Sequence, residues 1–215
     1  MSTVTLQVSH LKAALICAAT RDIRYYLNAV VLEVRKRDAL LVATDGHRLC
    51  VIHAATVPEG EPDNVPVQII IPRDTLKGIK PMRKCVATFL EYDPAQPLAE
   101  CRLSGLEGGD RVFKPIDARY PDWRRVVPDT LSGERAVFNP VYVAEFLEVA
   151  QIISGKGNTY VVNVHENGNG SATITSSAAP EFLGVLMPMR GENAEYSRPA
   201  WLDEAREEQP QALAA

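Results

Sequence analysis

The stretch Leu41-Val-Ala-Thr-Asp-Gly-His-Arg-Leu-Cys-Val-Ile52 places an Asp-Gly pair between two apolar runs. This arrangement is a strong local signal for a β-hairpin, because a type I′ turn requires positive φ at both central residues. The residues after the turn, His47, Arg48 and Leu49, would be held in one small patch. We therefore expect two antiparallel strands joined by a type I′ turn, with a candidate binding surface beside it.

The order of one strand, one helix and three strands occurs three times along the chain. The predicted helices begin at Ser9, Pro72 and Pro140, which lie 63 and 68 residues apart, and Asn139 is the expected cap of the third. A repeat of about this length indicates one supersecondary unit used three times. The predicted strands are 4–8, 29–34, 40–44 and 48–53 in the first unit, 67–71, 86–92, 99–103 and 111–114 in the second, and 136–138, 160–165, 172–175 and 183–187 in the third.

A single unit of this kind cannot bury both its helix and its sheet, so it requires another copy. The fold class is α+β, in which the first two units form a complete domain over 1–118 and the third forms a half domain over 134–190. A proline-rich and charged connector covers 119–133, and the polar, acidic segment 191–215 is expected to be a disordered tail. The third unit is left without a partner in its own chain, which predicts association.

The bulk composition is that of an ordinary globular protein, with 46% hydrophobic and 23% charged residues. No apolar stretch is long enough for a membrane span and no secretion signal is visible, so we expect a soluble cytoplasmic protein. The four cysteines, Cys17, Cys50, Cys85 and Cys101, show no Cys-x-x-Cys spacing and favour reduced core thiols over disulfides. A net charge of −4 argues against coating of nucleic acid through bulk charge, but leaves room for a local basic face.

No catalytic or metal-binding pattern stands out. The histidines His10, His47, His53 and His165 show neither His-x-x-x-His nor His-x-Glu spacing, and the sequence has no Gly-x-Ser-x-Gly elbow and no glycine-rich phosphate loop. We therefore expect no enzymatic activity, no metal and no cofactor.

Four motifs give the chain a family resemblance. It resembles the bacterial DNA polymerase III beta subunit, the sliding clamp, over residues 3–190, which correspond to the middle domain followed by the latter half of the last domain. The motifs are Asp22-Ile-Arg-Tyr-Tyr-Leu-Asn28, Ala43-Thr-Asp-Gly-His-Arg-Leu49, Tyr120-Pro-Asp-Trp-Arg-Arg-Val126 and Val185-Leu-Met-Pro-Met-Arg190.

The resemblance implies a DNA-clamp architecture. In that family twelve such units pair into six domains that close a ring around duplex DNA, with helices lining the hole. Three units per chain would complete the ring with four chains, so a homotetramer is expected, with a dimer holding half a ring as the alternative. The implied function is a DNA-encircling scaffold that tethers a polymerase, a clamp loader or a repair protein. A non-encircling regulator that competes for clamp-binding peptides or for the loader remains the alternative.

The resemblance also implies a hydrophobic pocket for short partner peptides. Methionine and leucine would form an adaptable apolar floor, and arginines at the rim would bind carboxylates or backbone carbonyls. The matching positions here are Leu27, Thr44, His47, Arg48, Leu49, Pro121, Arg125, Val126, Val185, Met187, Pro188, Met189 and Arg190. A further hypothesis is that Trp201 and Leu202 of the tail fold back into this pocket.

Candidate DNA contacts are concentrated on the second helix, which has a basic face with Asp74 as its one acid. The first helix adds a weaker set of the same sign, and the loop after it resembles a segment that reaches the DNA backbone. The third helix instead carries Glu145 and Glu148, which would repel phosphate. The candidates are Lys12, Arg21, Arg24, Tyr25, Tyr26, Arg73, Lys77, Lys80, Arg83 and Lys84.

Overall fold

The computed structural model describes residues 1–56, 67–79, 86–155, 161–190 and 197–199. Short 3₁₀ turns lie at Tyr25–Leu27 and Trp123–Val126. The helices and strands, in chain order, are β1 Ser2–Gln7, α1 Val8–Cys17, β2 Ala29–Val34, β3 Asp38–Thr44, β4 Arg48–Thr56, β5 Val67–Pro72, α2 Arg73–Leu76, β6 Ala87–Tyr92, β7 Cys101–Ser104, β8 Arg111–Phe113, α3 Pro140–Ser154, β9 Asn163–His165, β10 Ala172–Thr175 and β11 Phe182–Leu186.

The first two units exchange their first strands. Strand β1 pairs with the second unit in a sheet of order β1-β6-β7-β8, while β5 pairs with the first unit in the order β5-β2-β3-β4. In both exchanges the last residue of the incoming strand lies opposite the first residue of its new neighbour, Gln7 opposite Ala87 and Pro72 opposite Ala29. Neither unit therefore has a four-stranded sheet without the other.

The third unit docks on the first one, edge to edge. Strand β11 pairs antiparallel with β4, which extends the first unit's sheet to seven strands in the order β5-β2-β3-β4-β11-β10-β9. The N–H of His53 donates to the carbonyl of Glu181 at 2.9 Å and continues this pairing beyond the strand end. We expected the third unit to have no partner within its chain, and the structure corrects this: an edge contact joins it to the first unit, although no strand is exchanged.

The seven-stranded sheet is covered on both faces. Alternate residues of β2 point to opposite sides, so Val30 and Leu32 join the main core with the helices, while Ala29 and Val31 join a second cluster under the connector. All six residues of β2 are buried in consequence. The main core also contains the buried thiols of Cys17, Cys50 and Cys101, which are free.

One glycine controls how closely helix α3 approaches its sheet. A Cβ atom on Gly184 would lie 2.8 Å from Cε1 of Phe146 and 2.9 Å from Cβ of Ile174. Phe146 is fully buried and its ring packs 5.8 Å from that of Phe182. Gly184 is therefore required for the packing of α3 against β11, where the third unit meets the first.

Most predicted elements lie within a few residues of their expected bounds, and 29–34 and 172–175 match at both ends. Helix α1 begins one residue earlier than predicted, after Gln7 rather than after a Ser9 cap, because β1 runs directly into it. The side chain of Asn139 does cap α3, accepting from the N–H of Val141 at 3.0 Å.

Two predicted elements differ more. Helix α2 is a single turn that ends at Leu76, because Lys77 is already extended and Gly78 has a φ of 77°. The segment 136–138, predicted as a strand, forms none. Residues 80–85 and most of the predicted tail, 191–196 and 200–215, lie outside the described residues.

The hairpin at Thr44–Leu49 is present, but its turn is not type I′. Gly46 has a φ of 92°, whereas Asp45 is not in the left-handed region. The Oδ1 atom of Asp45 instead accepts hydrogen bonds from the N–H groups of His47 and Arg48, at 2.8 and 3.0 Å. A short polar side chain that binds the following backbone can shape a turn without positive φ at its own position. The loop therefore spans 45–48, between the paired residues Thr44 and Leu49.

The connector is fastened to the outer face of this sheet. The N–H of Thr44 donates to the buried hydroxyl of Tyr120 at 3.1 Å, and burial raises the pKa of that phenol. Further along, the guanidinium of Arg124 forms an ion pair with the carboxylate of Glu33, which is fully buried on β2. These contacts fix the connector beside the hairpin.

We expect Gly184→Ala to destabilise the protein by about 1–3 kcal/mol, because the added methyl group overpacks the contact with Phe146. Urea unfolding followed by circular dichroism measures the change. The double variant Phe146→Leu, Gly184→Ala should recover part of the loss, because Leu shortens the side chain that the methyl group meets. Equal stability of Gly184→Ala and the natural protein would contradict this account.

We expect Arg124→Ala to destabilise the protein by about 2 kcal/mol at pH 7, because it leaves a buried carboxylate without its partner. Burial raises the pKa of Glu33, but hydrogen bonds and charge from Arg124 outweigh it and hold that pKa below its usual value. A depressed folded-state pKa stabilises the fold above the unfolded pKa, and this stability is lost as the pH falls through the folded pKa. The difference between the two proteins in urea should therefore shrink toward acidic pH, and Glu33→Gln, Arg124→Ala should recover part of the loss. A difference that does not depend on pH would contradict the assignment.

Candidate functional site

A groove of about 180 Å³ lies where the hairpin, the connector and the end of β11 meet. These three segments are far apart in sequence and are joined here by the β4–β11 edge, where the N–H of Met187 donates to the carbonyl of His47 at 2.9 Å. The lining residues are Arg24, Leu27, Thr44, Gly46, His47, Arg48, Leu49, Pro121, Asp122, Trp123, Val126, Val185 and Met187.

The groove has a rigid apolar floor and a more accessible apolar rim. Leu27, Leu49 and Val185 belong to the second core cluster and are at most 2% exposed. Met187 and Val126 lie at the rim, with 42% and 41% of their surface exposed. Exposed large apolar side chains beside a preformed apolar floor are characteristic of surfaces that bind other molecules.

The guanidinium of Arg48 is buried in the groove wall and is held by contacts to the hairpin, α1 and α3, although its Nε atom has no hydrogen-bond partner among the described residues. It donates to the carbonyl of Ile16 at 2.9 Å, lies 3.2 Å from Oδ2 of Asp45, forms an ion pair with Glu145, and covers the ring of Tyr142 at 4.6 Å. We expected a rim cation ready to receive a peptide carboxylate. The structure corrects this, because Arg48 is occupied by groups from the hairpin, α1 and α3.

The exposed polar residues that line the groove include His47, Arg24 and Asp122. The imidazole of His47 is exposed and stacks on Tyr142 at 6.3 Å. Arg24 forms two hydrogen bonds with the carboxylate of Asp22, which lower the pKa of Asp22 to about 2, and donates to the carbonyl of Asp45 at 3.2 Å. Arg24 was predicted as a DNA contact, and the structure places it in the groove wall.

The structure brings together nine of the predicted pocket residues and leaves four outside the lining. Arg125, Met189 and Arg190 are exposed outside the groove, and Pro188 is partly buried beside them. Sequence reasoning omitted Arg24, Gly46, Asp122 and Trp123 from the pocket, although each lies inside one of the four family motifs. Position within a motif was therefore the signal that could have found them.

Among the described residues, the predicted DNA contacts do not form one free cationic face. Arg73 is directed inward, where it donates to the carbonyls of Leu15 and Ala18 at 2.9 and 3.0 Å and so caps the end of α1. Burial lowers the pKa of Lys12, which lies near Glu148 of α3. Arg21 and Lys77 are exposed. Lys80, Arg83 and Lys84 lie outside the described residues.

The two adjacent tyrosines of this set differ in exposure. Tyr25 is 57% exposed and its hydroxyl donates to the carbonyl of Asp117 at 3.4 Å, whereas Tyr26 packs partly against the second core cluster. Their rings meet edge to face at 5.8 Å. One ring is therefore free to contact a ligand and the other is largely structural.

The described residues contain neither a cluster of three or more His, Cys, Asp and Glu side chains that could hold a metal ion nor a helix long and apolar enough to cross a membrane.

Known proteins resemble parts of this chain in sequence. A family model for the central domain of the DNA polymerase III beta subunit matches residues 5–88. The beta sliding clamp of Vibrio cholerae is 32% identical over 155 residues, which cover 70% of this chain and 39% of that protein. The beta sliding clamp of Escherichia coli K12 is 34% identical over 113 residues, covering 51% of this chain and 28% of the clamp. The match thus spans less than half the length of these relatives.

Solved structures share the fold over most of the chain. The DNA polymerase III subunit beta from Pseudomonas aeruginosa matches with a TM-score of 0.64 at 20% identity, covering 89% of this chain and 66% of that one. The beta subunit from Thermotoga maritima matches with a TM-score of 0.67 at 16% identity, covering 88% and 66%. The predicted α+β clamp fold is thus confirmed. The sequence matches show that this chain is a homologue of the bacterial beta sliding clamps, and its residues 5–88 match the central domain of the DNA polymerase III beta subunit.

Proposed function

We propose that this protein is a clamp-like scaffold without catalytic activity, which captures short peptide segments of replication or repair proteins in its groove and holds those proteins on duplex DNA. The observation that carries the proposal is the groove itself, whose apolar floor is assembled from three distant segments. Homology to the beta sliding clamps supports the scaffold role.

Peptide capture follows from the shape and chemistry of the groove. Leu27, Leu49 and Val185 form a floor that does not have to reorganise, so an incoming apolar side chain would lose little free energy to ordering of the protein. Met187 is unbranched and can adapt to side chains of different shape. The occupant is therefore an extended segment with one or two large apolar anchors.

The polar recognition differs from the one the sequence suggested. Arg48 is committed to internal contacts, so hydrogen bonds to the peptide would come from His47 and Arg24 at the mouth. Arg125 and Arg190 are exposed nearby and would form an outer rim for acidic side chains beyond the groove. Rim cations mainly accelerate association and contribute less to affinity.

The full assembly in this proposal is a ring of four chains around DNA in the bacterial cytoplasm, with a dimer as the smaller alternative. The complete domain at 1–118, the connector at 119–133 and the half domain at 134–190 are its parts. A ring that cannot leave the duplex converts repeated encounters with a polymerase, loader or repair protein into an intramolecular equilibrium, which raises the effective concentration of the partner.

A second candidate function is supported by predicted DNA-binding residues whose charges are directed into the protein. Arg73 caps α1 internally, and α3 exposes the carboxylate of Glu148, whereas Glu145 is paired with Arg48. A protein that uses the same groove to compete for clamp-binding peptides, without encircling DNA, would need no cationic face. Native mass spectrometry with electron microscopy separates the two: a closed four-chain ring supports the scaffold, and a stable monomer or open dimer supports the competitor.

We expect Met187→Ala to weaken binding of a fluorescently labelled clamp-binding peptide from a DNA polymerase by about tenfold, because it removes an apolar contact at the rim of the groove. Met189→Ala is the matched control, since Met189 is 54% exposed and lies outside the lining. Fluorescence anisotropy measures both affinities. Equal effects of the two substitutions would place the peptide elsewhere.

We expect the double variant Arg21→Gln, Lys77→Gln to reduce the slope of log affinity for duplex DNA against log salt by about 0.9 for each phosphate that the protein no longer neutralises. The control, Lys114→Gln with Arg119→Gln, removes the same charge from two exposed positions beside the connector. A filter-binding titration between low and physiological salt gives the slopes. Identical slopes for the two double variants would show that charge, and not a defined DNA face, controls the binding.

A further inference from the structure

The third unit leaves one edge of its sheet open, whereas the corresponding edges in the first two units are paired with another strand. In both of those units the second strand, β2 or β6, is flanked by the first strand of the other unit. The corresponding strand of the third unit, β9, has β10 as its neighbour and is the last strand of the seven-stranded sheet. Among the described residues no strand takes the place that β5 and β1 occupy elsewhere.

The segment before α3, which corresponds to the exchanged strands β1 and β5, forms no strand in this structure. Residues 134–139 precede α3 directly, as Ser2–Gln7 precedes α1 and Val67–Pro72 precedes α2. Within the described part of the chain, the carbonyls of Glu134, Val137 and Asn139 accept backbone hydrogen bonds, and none reaches Ala136 or Phe138. In an extended chain alternate residues point to opposite edges, so Ala136 and Phe138 present their N–H and C=O groups to the edge that Val137 does not use.

Side chains of the third unit are less buried than the equivalent side chains of the first unit. Helix α3 begins 132 residues after α1, and the same offset relates Val162 and Val164 to Val30 and Leu32. Val30 and Leu32 are fully buried, whereas Val162 and Val164 are only partly buried against the main core. Val137, Val141 and Val161 are 37%, 59% and 50% exposed in the same unit. The third unit therefore lacks the cover that the first two units give each other.

We propose that a second copy of this chain covers this face, and that the two third units exchange their 134–139 segments to build one complete clamp domain from two chains. The open edge of β9 and the segment 134–139 lie on the same unit. In two copies related by a two-fold axis, the segment of each copy can therefore pair with the β9 edge of the other. The template is the exchange between units one and two within this chain. An isologous contact of this kind closes on itself and does not propagate into fibres.

The internal template also fixes the register. Pro72 ends its exchanged strand opposite Ala29, and the 132-residue offset relates Ala29 to Val161, so Asn139 of one copy lies opposite Val161 of the other, two residues before β9 begins. The following pairs are Phe138 with Val162, Val137 with Asn163 and Ala136 with Val164. Phe138 and Ala136, whose backbone groups have no hydrogen bond within the described ranges, thus lie opposite the two half-buried valines.

This inference extends the proposed ring and does not depend on peptide capture. Four chains would supply four complete domains and two composite ones, which is the number of domains that a closed clamp ring requires. The peptide groove lies entirely within one chain. Failure of the exchange would therefore leave peptide binding intact, and failure of peptide binding would leave the exchange intact.

Disulfide trapping in the full-length chain tests the register. In the double variant Val137→Cys, Asn163→Cys, the two thiols would face each other across a non-hydrogen-bonded antiparallel pair, where Cα atoms lie about 4.5 Å apart. The control Val137→Cys, His165→Cys moves one thiol by two residues on the same face, to a diagonal separation of about 7–8 Å. Oxidation should convert most of the first variant into a covalent dimer and much less of the control, as judged on a non-reducing gel.

Mixing the single variants Val137→Cys and Asn163→Cys shows whether the segment 134–139 pairs with β9 of another copy or of its own chain. Only pairing between copies can form a disulfide between the two variants. We expect a covalent heterodimer from the mixture and none from either variant alone. Monomeric native mass with no covalent dimer would overturn the proposal, as would a disulfide formed only within a chain. Crosslinking that appears only after deletion of 191–215 would also overturn it, because the tail would then be the natural occupant of the edge.

Discussion

The buried guanidinium of Arg48 joins three parts of this molecule that the chain order keeps apart. It binds the turn through Asp45, the end of α1 through the carbonyl of Ile16, and α3 through Glu145 and the ring of Tyr142. A buried cation needs opposite charges and hydrogen-bond acceptors close to it, so each of these elements constrains the positions of the others. The third unit is thereby fixed against the first, and the β4–β11 edge follows.

The groove is a consequence of that arrangement. Its walls come from the hairpin, from a connector held by Tyr120 and the Glu33–Arg124 pair, and from β11, which approaches α3 closely because Gly184 has no side chain. None of these contacts requires a ligand. A site whose floor is already buried and whose rim carries exposed apolar side chains is suited to select an apolar anchor without first reorganising itself.

The same packing rules explain why the third unit is incomplete. A helix on a three-stranded sheet leaves one edge and part of one face uncovered. Units one and two cover these surfaces by exchanging their first strands. The third unit gains an edge contact with β4 but no exchanged strand, so Val162 and Val164 remain half-buried. The open edge and the half-buried valines are where we propose that a second copy binds, whatever ligand the groove takes.

The sequence alone determined the repeating units and most strand positions, because alternation, helical spacing and turn residues are local properties. Only the resemblance to the clamp family indicated which segments would meet at a pocket. It placed Leu49, Val185 and Met187 in the site through motifs, and the structure brings them together. The tertiary structure decided the roles of the charged residues. Arg48 and Arg73 form hydrogen bonds inside the protein, and Arg24 is part of the groove wall. The tertiary structure also decided that Asp45 shapes its turn by side-chain hydrogen bonds. A long cation carries no local signal of its direction, because only the carbonyls and carboxylates brought near by folding determine where its charge is satisfied.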